Sequence, residues 1–260
     1  MSTINKLVIV GSGIKFMSHL TIEVKAHIEQ ADKVLYLINE PAMQEWIVNN
    51  SKYSEPLDDL YVKNPLREDN YKLIAEYILE ELTTTKVLCI VIYGHPTVFV
   101  QPSLLAAKMA IDRGYKVTIL PGISTEDCLF ADLIIDPGTC GCHSFEATDF
   151  LLYRREYDSS SHLILWQPYV IGMLGIPVNH NPKKGLQFLS NYLQEKYELN
   201  HEITLYEAAQ YPAFTPRIDT ITLRDLPDAN ISSLTTLYIK PNKQKTPDVG
   251  VLNALRSEHN

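Results

Sequence analysis

Tyr93-Gly94-His95-Pro96-Thr97-Val98-Phe99 puts a glycine, a proline and two polar rings into one short segment. It follows Val87-Leu88-Cys89-Ile90-Val91-Ile92, a near-continuous apolar run of the kind found inside parallel sheets. Ligands of such sheets bind at the carboxyl ends of the strands. The turn therefore falls where a small-molecule pocket is expected. Pro121-Gly122-Ile123-Ser124-Thr125-Glu126-Asp127 repeats the arrangement after Lys116-Val117-Thr118-Ile119-Leu120. Two pocket-type turns in one chain point to a shared site.

The elements that position these turns alternate. Leu7-Val8-Ile9-Val10 reads as a strand and Gly11-Ser12-Gly13-Ile14 as a turn. A helix is predicted over 20–31, a strand over 33–38 and a helix over 43–50. Residues 51–65, rich in Asp, Pro, Tyr and Asn, form a loop that is long for a compact α/β domain. A helix over 67–82 follows, with Tyr71, Ile74, Ala75, Ile78, Leu79 and Leu82 on one apolar stripe. After the strand 87–92 come a helix over 103–113, a strand over 116–120 and a helix over 124–133. Ser124 with Glu126 and Asp127 is a helix N-terminal signature. This half predicts a parallel sheet with right-handed crossovers. Strands over 162–166, 202–206, 220–223 and 235–239, with a helix over 184–197, predict a mixed sheet in the second half. The expected organisation is α/β, with an N-terminal subdomain over 1–120, a C-terminal one over 121–241, and a polar, frayed tail over 242–260.

The formal net charge of −8 opposes broad nucleic-acid binding, which wants a basic face, and disfavours anionic membranes. No apolar run is long enough to span a bilayer. Nothing resembling a signal peptide precedes the first strand, so a cytoplasmic location is expected. Of the four cysteines, Cys89 and Cys128 lie on apolar faces and read as core thiols. Cys140-Gly141-Cys142 has one intervening residue, which is not a zinc spacing, and no second pair completes a site. No metal and no disulfide framework are expected.

Gly11-Ser12-Gly13 invites a dinucleotide reading, but Phe16 stands where the fingerprint needs its third glycine. Glu40 is the nearest acid after the second strand and lies beyond Asn39. The turn reads instead as one that uses glycine's backbone freedom.

Taken in order, the first turn, Leu20-Thr21, Ala31-Asp32-Lys33-Val34, Gly94-His95-Pro96 and Pro121-Gly122-Ile123-Ser124 resemble the tetrapyrrole methylase superfamily, the class III S-adenosylmethionine methyltransferases. The resemblance runs over 6–241. Within the superfamily the chain is most similar to the borosin-type peptide backbone α-N-methyltransferases, through the runs 93–100 and 120–133, Asp136-Pro137, and 146–151. His95 replaces the acid of the usual Gly-Asp-Pro turn, which argues against a porphyrin substrate.

The resemblance implies two α/β/α subdomains with S-adenosylmethionine in the cleft between them. By matching position, the cofactor contacts would be Tyr93, His95, Val98, Ser124, Thr125, Gln167, Ala208 and Thr236. The catalytic set would be Tyr61, Arg67, Tyr71 and Tyr93. Methyl transfer to an amide nitrogen needs a base near the N–H and donors near the oxygen, because the nitrogen lone pair is shared with the carbonyl. Arg67 and Tyr71, four apart, share a helix face. A neighbouring cation lowers a phenol's pKa from about 10, and a guanidinium offers planar donors to an imidate oxygen. Read without the resemblance, Tyr71 is a core tyrosine among fifteen, and Arg67 a solvated charge at a helix start where the dipole disfavours a cation.

The implied activity is α-N-methylation of backbone amides in a ribosomally made precursor peptide. Alternatives are methylation of a small molecule such as a porphyrinoid, or a non-catalytic module that binds cofactor or peptide. The family also implies a homodimer, or a heterotetramer with two peptides. The last residues, 242–260, are short and polar, without a helical clasp or an apolar run to be methylated. The expectation is thus a separate precursor, leader plus core, supplied in trans.

Overall fold

The computed structural model describes residues 5–173, 175 and 180–257. The chain divides into two compact units. The first comprises Met1–Ile135, Met173–Asn179 and Ala208–Arg217, and the second Asp136–Gly172, His180–Glu207 and Ile218–Asn260.

In the first unit the elements in chain order are β1 (Lys6–Gly11), α1 (Ile22–Gln30), β2 (Lys33–Leu37), α2 (Pro41–Asn50), β3 (Ser54–Pro56), α3 (Asp58–Tyr61), α4 (Arg67–Thr84), β4 (Val87–Ile92), α5 (Gln101–Asp112), β5 (Lys116–Leu120) and α6 (Thr125–Asp132). The strands form one sheet in the order β3-β2-β4-β1-β5, and every pairing is parallel. Period-two alternation serves both faces. Leu7 and Ile9 join the core under α4 and α5, while Val8 and Val10 join the core under α1 and α2. From β1 the chain moves to one side of the sheet and from β4 to the other, so the switch point lies between these neighbours.

The stretch 51–65, expected to be loop, contains β3 and α3. Three residues of strand are enough because β3 only extends the edge of β2. Nor does the division fall at the Pro121 turn. Gly122 is packed so tightly on Gly11 and Gly94 that the turn and α6 stay with the first unit.

The second unit contains β6 (Cys142–Glu146), α7 (Ala147–Leu152), β7 (His162–Trp166), α8 (Lys183–Leu193), β8 (Glu202–Glu207), β9 (Arg217–Thr222), β10 (Thr236–Ile239) and α9 (Val249–Ser257), the first residue of β9 being shared with the other unit. Its sheet runs β6-β7-β10-β8-β9. β6 pairs parallel with β7, and β10 pairs antiparallel with both β7 and β8, so the sheet is mixed as expected. Leu163, Leu165, Leu205 and Leu237 bury one face against Leu186, Leu189 and Leu193 of α8 and Phe150 of α7. The tail differs from expectation, because it is helical over α9. Asp248 starts the first turn, its carbonyl accepting from Leu252 N–H at 2.9 Å, and the helix stands exposed. Cys89 and Cys128 are buried thiols. Among the described residues, no helix is long and apolar enough to cross a membrane.

Candidate active site

Because β4, β1 and β5 are parallel neighbours, their following turns leave from one edge of the sheet. Ser12 N–H donates to Ile92 O at 2.8 Å. Gly13 and Gly94 exchange main-chain bonds at 3.2 and 3.1 Å. Both have left-handed backbones, φ +71° and +73°, which suits glycine. A Cβ on Gly11 would sit 2.2 Å from Gly94 O, and one on Gly122 2.7 Å from the same oxygen. Three turns thus meet backbone to backbone, with no room for side chains between them.

His19 holds the first turn. Its Nδ1 accepts from Ile14 N–H at 3.3 Å and Lys15 N–H at 3.2 Å. Burial, then the Lys15 charge, lowers its pKa, so the ring is the neutral acceptor that this geometry needs. His95 works similarly in the second turn. Thr97 N–H donates to its Nδ1 at 3.2 Å, which leaves the proton on Nε2. Ser103 Oγ donates to Pro96 O at 2.6 Å and anchors the turn to α5. Val98 is half-buried beside it. In the third turn, Ser124 and Asp127 form a capping box. Ser124 N–H and Oγ both donate to Asp127 Oδ2 at 2.7 Å, and Asp127 N–H returns a bond to Ser124 Oγ at 3.2 Å. Thr125 is the first residue of α6.

Tyr61, Arg67 and Tyr71 come together at the start of α4. The Tyr61 and Tyr71 rings lie 5.9 Å apart. Asn70, fully buried, ties the preceding loop to the helix: its Oδ1 accepts from Asn64 N–H at 2.7 Å and its Nδ2 donates to Asn64 O at 2.9 Å. Asn70, not Tyr71, takes the buried position expected of the tyrosine, which is half-buried. Arg67 is not a free surface charge. Its Nη2 donates to Met173 O at 2.5 Å, and Leu66 forms an antiparallel bridge with Gly175. The structure reverses the expected direction at Tyr61. Burial, then the neighbouring Tyr71 hydroxyl, pushes its pKa up, and the opposing Arg67 charge is outweighed.

Tyr93 stands apart from this trio. Tyr61 packs against the core under α4 and α5, and Tyr93 against the core on the other face of the sheet. Gln210 Nε2 donates to Tyr93 Oη at 3.3 Å. Burial again dominates and raises the Tyr93 pKa. Ala208 belongs to this unit, just beyond β8. The remaining two expected contacts belong to the second unit. Gln167 follows β7 with a left-handed backbone, φ 56°, and Thr236 opens β10, buried and in register with Tyr206 of β8.

Gln210, Asn70, Tyr211 and Glu40 were not singled out as site residues from the sequence. Only Glu40 carried a usable signal, since an acid before Pro41 suits a helix start. Its carboxylate accepts from Ala42 and Met43 N–H at 2.9 and 2.7 Å. Among the described residues, no group of three His, Cys, Asp or Glu is placed to hold a metal ion.

A three-layer α/β unit with glycine turns meeting at its switch point defines the class of the protein. Residues 6–218 match the model of the Tetrapyrrole (Corrin/Porphyrin) Methylases, and the chain belongs to that family. It is 40% identical over 255 residues to a methyltransferase/ribosomally synthesized cyclic peptide gymnopeptides precursor of Gymnopus fusipes, covering 96% of this chain and 60% of that protein. It is also 40% identical over 240 residues to a methyltransferase/ribosomally synthesized type III borosin cyclic peptide precursor of Anomoporia bombycina, covering 91% of this chain and 28% of that protein. The chain thus spans less than two thirds of these relatives. A crystal structure of uroporphyrin-III C-methyl transferase from Thermus thermophilus complexed with S-adenyl homocysteine is similar in fold. Its TM-score is 0.63 at 13% identity, over 95% of this chain and 100% of that one.

Proposed function

We propose that this protein is an S-adenosylmethionine-dependent methyltransferase that α-N-methylates backbone amides of a ribosomal precursor peptide. The observation that carries the reading is the Arg67 bond to a main-chain carbonyl, Met173 O, beside Tyr61 and Tyr71. A guanidinium placed to hold a peptide oxygen, with two phenols next to it, is the equipment that amide methylation needs. The names of the relatives, which join a methyltransferase to a peptide precursor, support the same substrate class.

We infer that the first unit carries most of the cofactor contacts. Gly11, Gly94 and Gly122 let the three turns pack backbone on backbone at the carboxyl edge of the parallel sheet, the edge where ligands of such sheets bind. On this unit Tyr93, His95, Val98, Ser124, Thr125 and Ala208 are the residues proposed to hold the cofactor; Gln167 and Thr236 are the two further positions that the resemblance implies. When bound, it supplies an electrophilic methyl group on a sulfonium.

The chain's own residues handle the amide. Arg67 holds the carbonyl oxygen and meets the charge that collects there as the N–H proton leaves. Tyr61 keeps its proton, because burial holds it neutral, and its ring lies 5.9 Å from that of Tyr71. We assign Tyr71 Oη, once its own proton has passed to solvent, to take the amide proton, which restores its hydroxyl as the methyl group is transferred. The assembly we propose is a homodimer that binds two peptides.

The test incubates the protein with S-adenosylmethionine and a leader-plus-core peptide, and locates methyl groups by tandem mass spectrometry. Backbone-nitrogen methylation is expected, and Arg67→Lys should lower the single-turnover rate by ~10²–10³ while S-adenosylhomocysteine still binds. Methylation confined to side chains, or none with cofactor bound, refutes the activity. Methyl groups on the chain's own residues would instead overturn supply of the substrate in trans.

A further inference from the structure

The segment after β8 carries a side chain whose place the motifs do not explain. Gln210 accepts from Phe16 N–H through its main-chain oxygen at 2.8 Å and donates from Nε2 to Tyr93 Oη at 3.3 Å. Its neighbour Tyr211 donates to the Glu40 carboxylate, and its ring lies 6.3 Å from that of Phe16. Glu40 is only 3% exposed and also caps α2. The segment is thus fixed to the β1 turn, to the start of α2 and to Tyr93. A buried carboxylate accepting three hydrogen bonds is a rigid anchor for a loop.

The amide occupies one lone pair of the Tyr93 oxygen and leaves the phenol's own proton to be given elsewhere. Burial keeps that phenol protonated. Cys128 of α6 and Glu40 act in the same direction, and the Gln210 donor acts against them. With one lone pair taken by the amide, the neutral hydroxyl still has its own proton to donate.

We propose that Gln210 is a positioning residue that orients Tyr93 as a hydroxyl donor toward the bound ligand. This rests on the peptide-methylation reading, in which Tyr93 lines the site. A filler role would require only the volume of the side chain. The donor role requires the amide N–H.

The experiment compares Gln210→Leu, which keeps the bulk, and Gln210→Glu, which keeps the length but presents an acceptor. Gln210→Met replaces the first variant where it does not fold. Both substitutions should lower kcat/KM for a leader-plus-core peptide about tenfold, the usual scale for one hydrogen bond. In protein labelled with ¹³Cζ-tyrosine, the Tyr93 resonance, located by its loss in Tyr93→Phe, should titrate at higher pH in both variants than in the unmodified protein. Wild-type kcat/KM in Gln210→Glu, or an unmoved Tyr93 titration in Gln210→Leu or Gln210→Met, overturns the proposal. Failure of the unmodified protein to methylate the peptide refutes the functional reading alone, because the titration still reports whether Gln210 acts on Tyr93.

Discussion

Gly11→Ala tests whether backbone contact at the sheet edge builds the site. The new Cβ would lie 2.2 Å from Gly94 O and 2.9 Å from the Pro96 ring, whereas ordinary contact begins at 3.4 Å. The oxygen belongs to main chain and the proline ring is stiff, so neither can swing aside. The turns after β1 and β4 must therefore separate by roughly 1 Å. A misplacement of that size at a reacting centre can cost ~10²-fold in rate. Overpacking itself should cost about 1–3 kcal/mol, which lowers Tm by roughly 2–12 °C for a chain of this size. The assay pairs calorimetry with S-adenosylhomocysteine and single-turnover methylation, both at a temperature where the variant is folded. Gly114→Ala is the control. Its φ of +80° strains an alanine, but nothing lies within 4 Å of the added Cβ. It should lose stability and keep ligand affinity. Wild-type affinity and rate in Gly11→Ala would refute the reasoning, since the turns would then have moved without consequence.

Asn70→Ala should lower stability by roughly 1–3 kcal/mol, because two part-buried main-chain groups of Asn64 lose their partner, and should slow methylation by loosening Tyr61 relative to Tyr71; denaturant melts and single-turnover rates check both effects. The pKa of His19 is lowered by folding, so its contribution to stability is present above about 6.5 and is lost as pH falls through the folded value. Cofactor affinity should drop over that acid range, and His19→Gln should flatten the profile. The buried phenols Tyr61 and Tyr93 have raised values, so their contribution is complete below about pH 10 and lost above it. Thermal melts at constant ionic strength should therefore show Tm falling above that pH, and the fall should be smaller in Tyr61→Phe.

Local sequence determined much of this protein. The strand 87–92 is legible because six apolar residues in a row bury on both faces, and it is found at those bounds. Ser124 announces its helix because capping acts within three residues, and its side chain accepts the bond expected of it. The glycine turns are legible as turns, and their order carries the family. Elements with weak local signals were missed. β3 is three residues long, and β6 depends on pairing with β7 rather than on a strong alternation of its own.

Only the tertiary structure decided how the site is assembled. The meeting of Gly11, Gly94 and Gly122 follows from strand order, which no local period encodes. The partner of Arg67 is 106 residues away, that of Tyr93 is 117, and that of Glu40 is 171. The sequence shows a charge at a helix start, where it looks solvated; burial against a carbonyl makes it a peptide-oxygen donor. It likewise shows an arginine near two tyrosines, which predicts lowered phenol pKa values. In the folded chain the loss of water around Tyr61 outweighs that charge. Desolvation is a property of the packed environment, and packing depends on residues far apart in the chain.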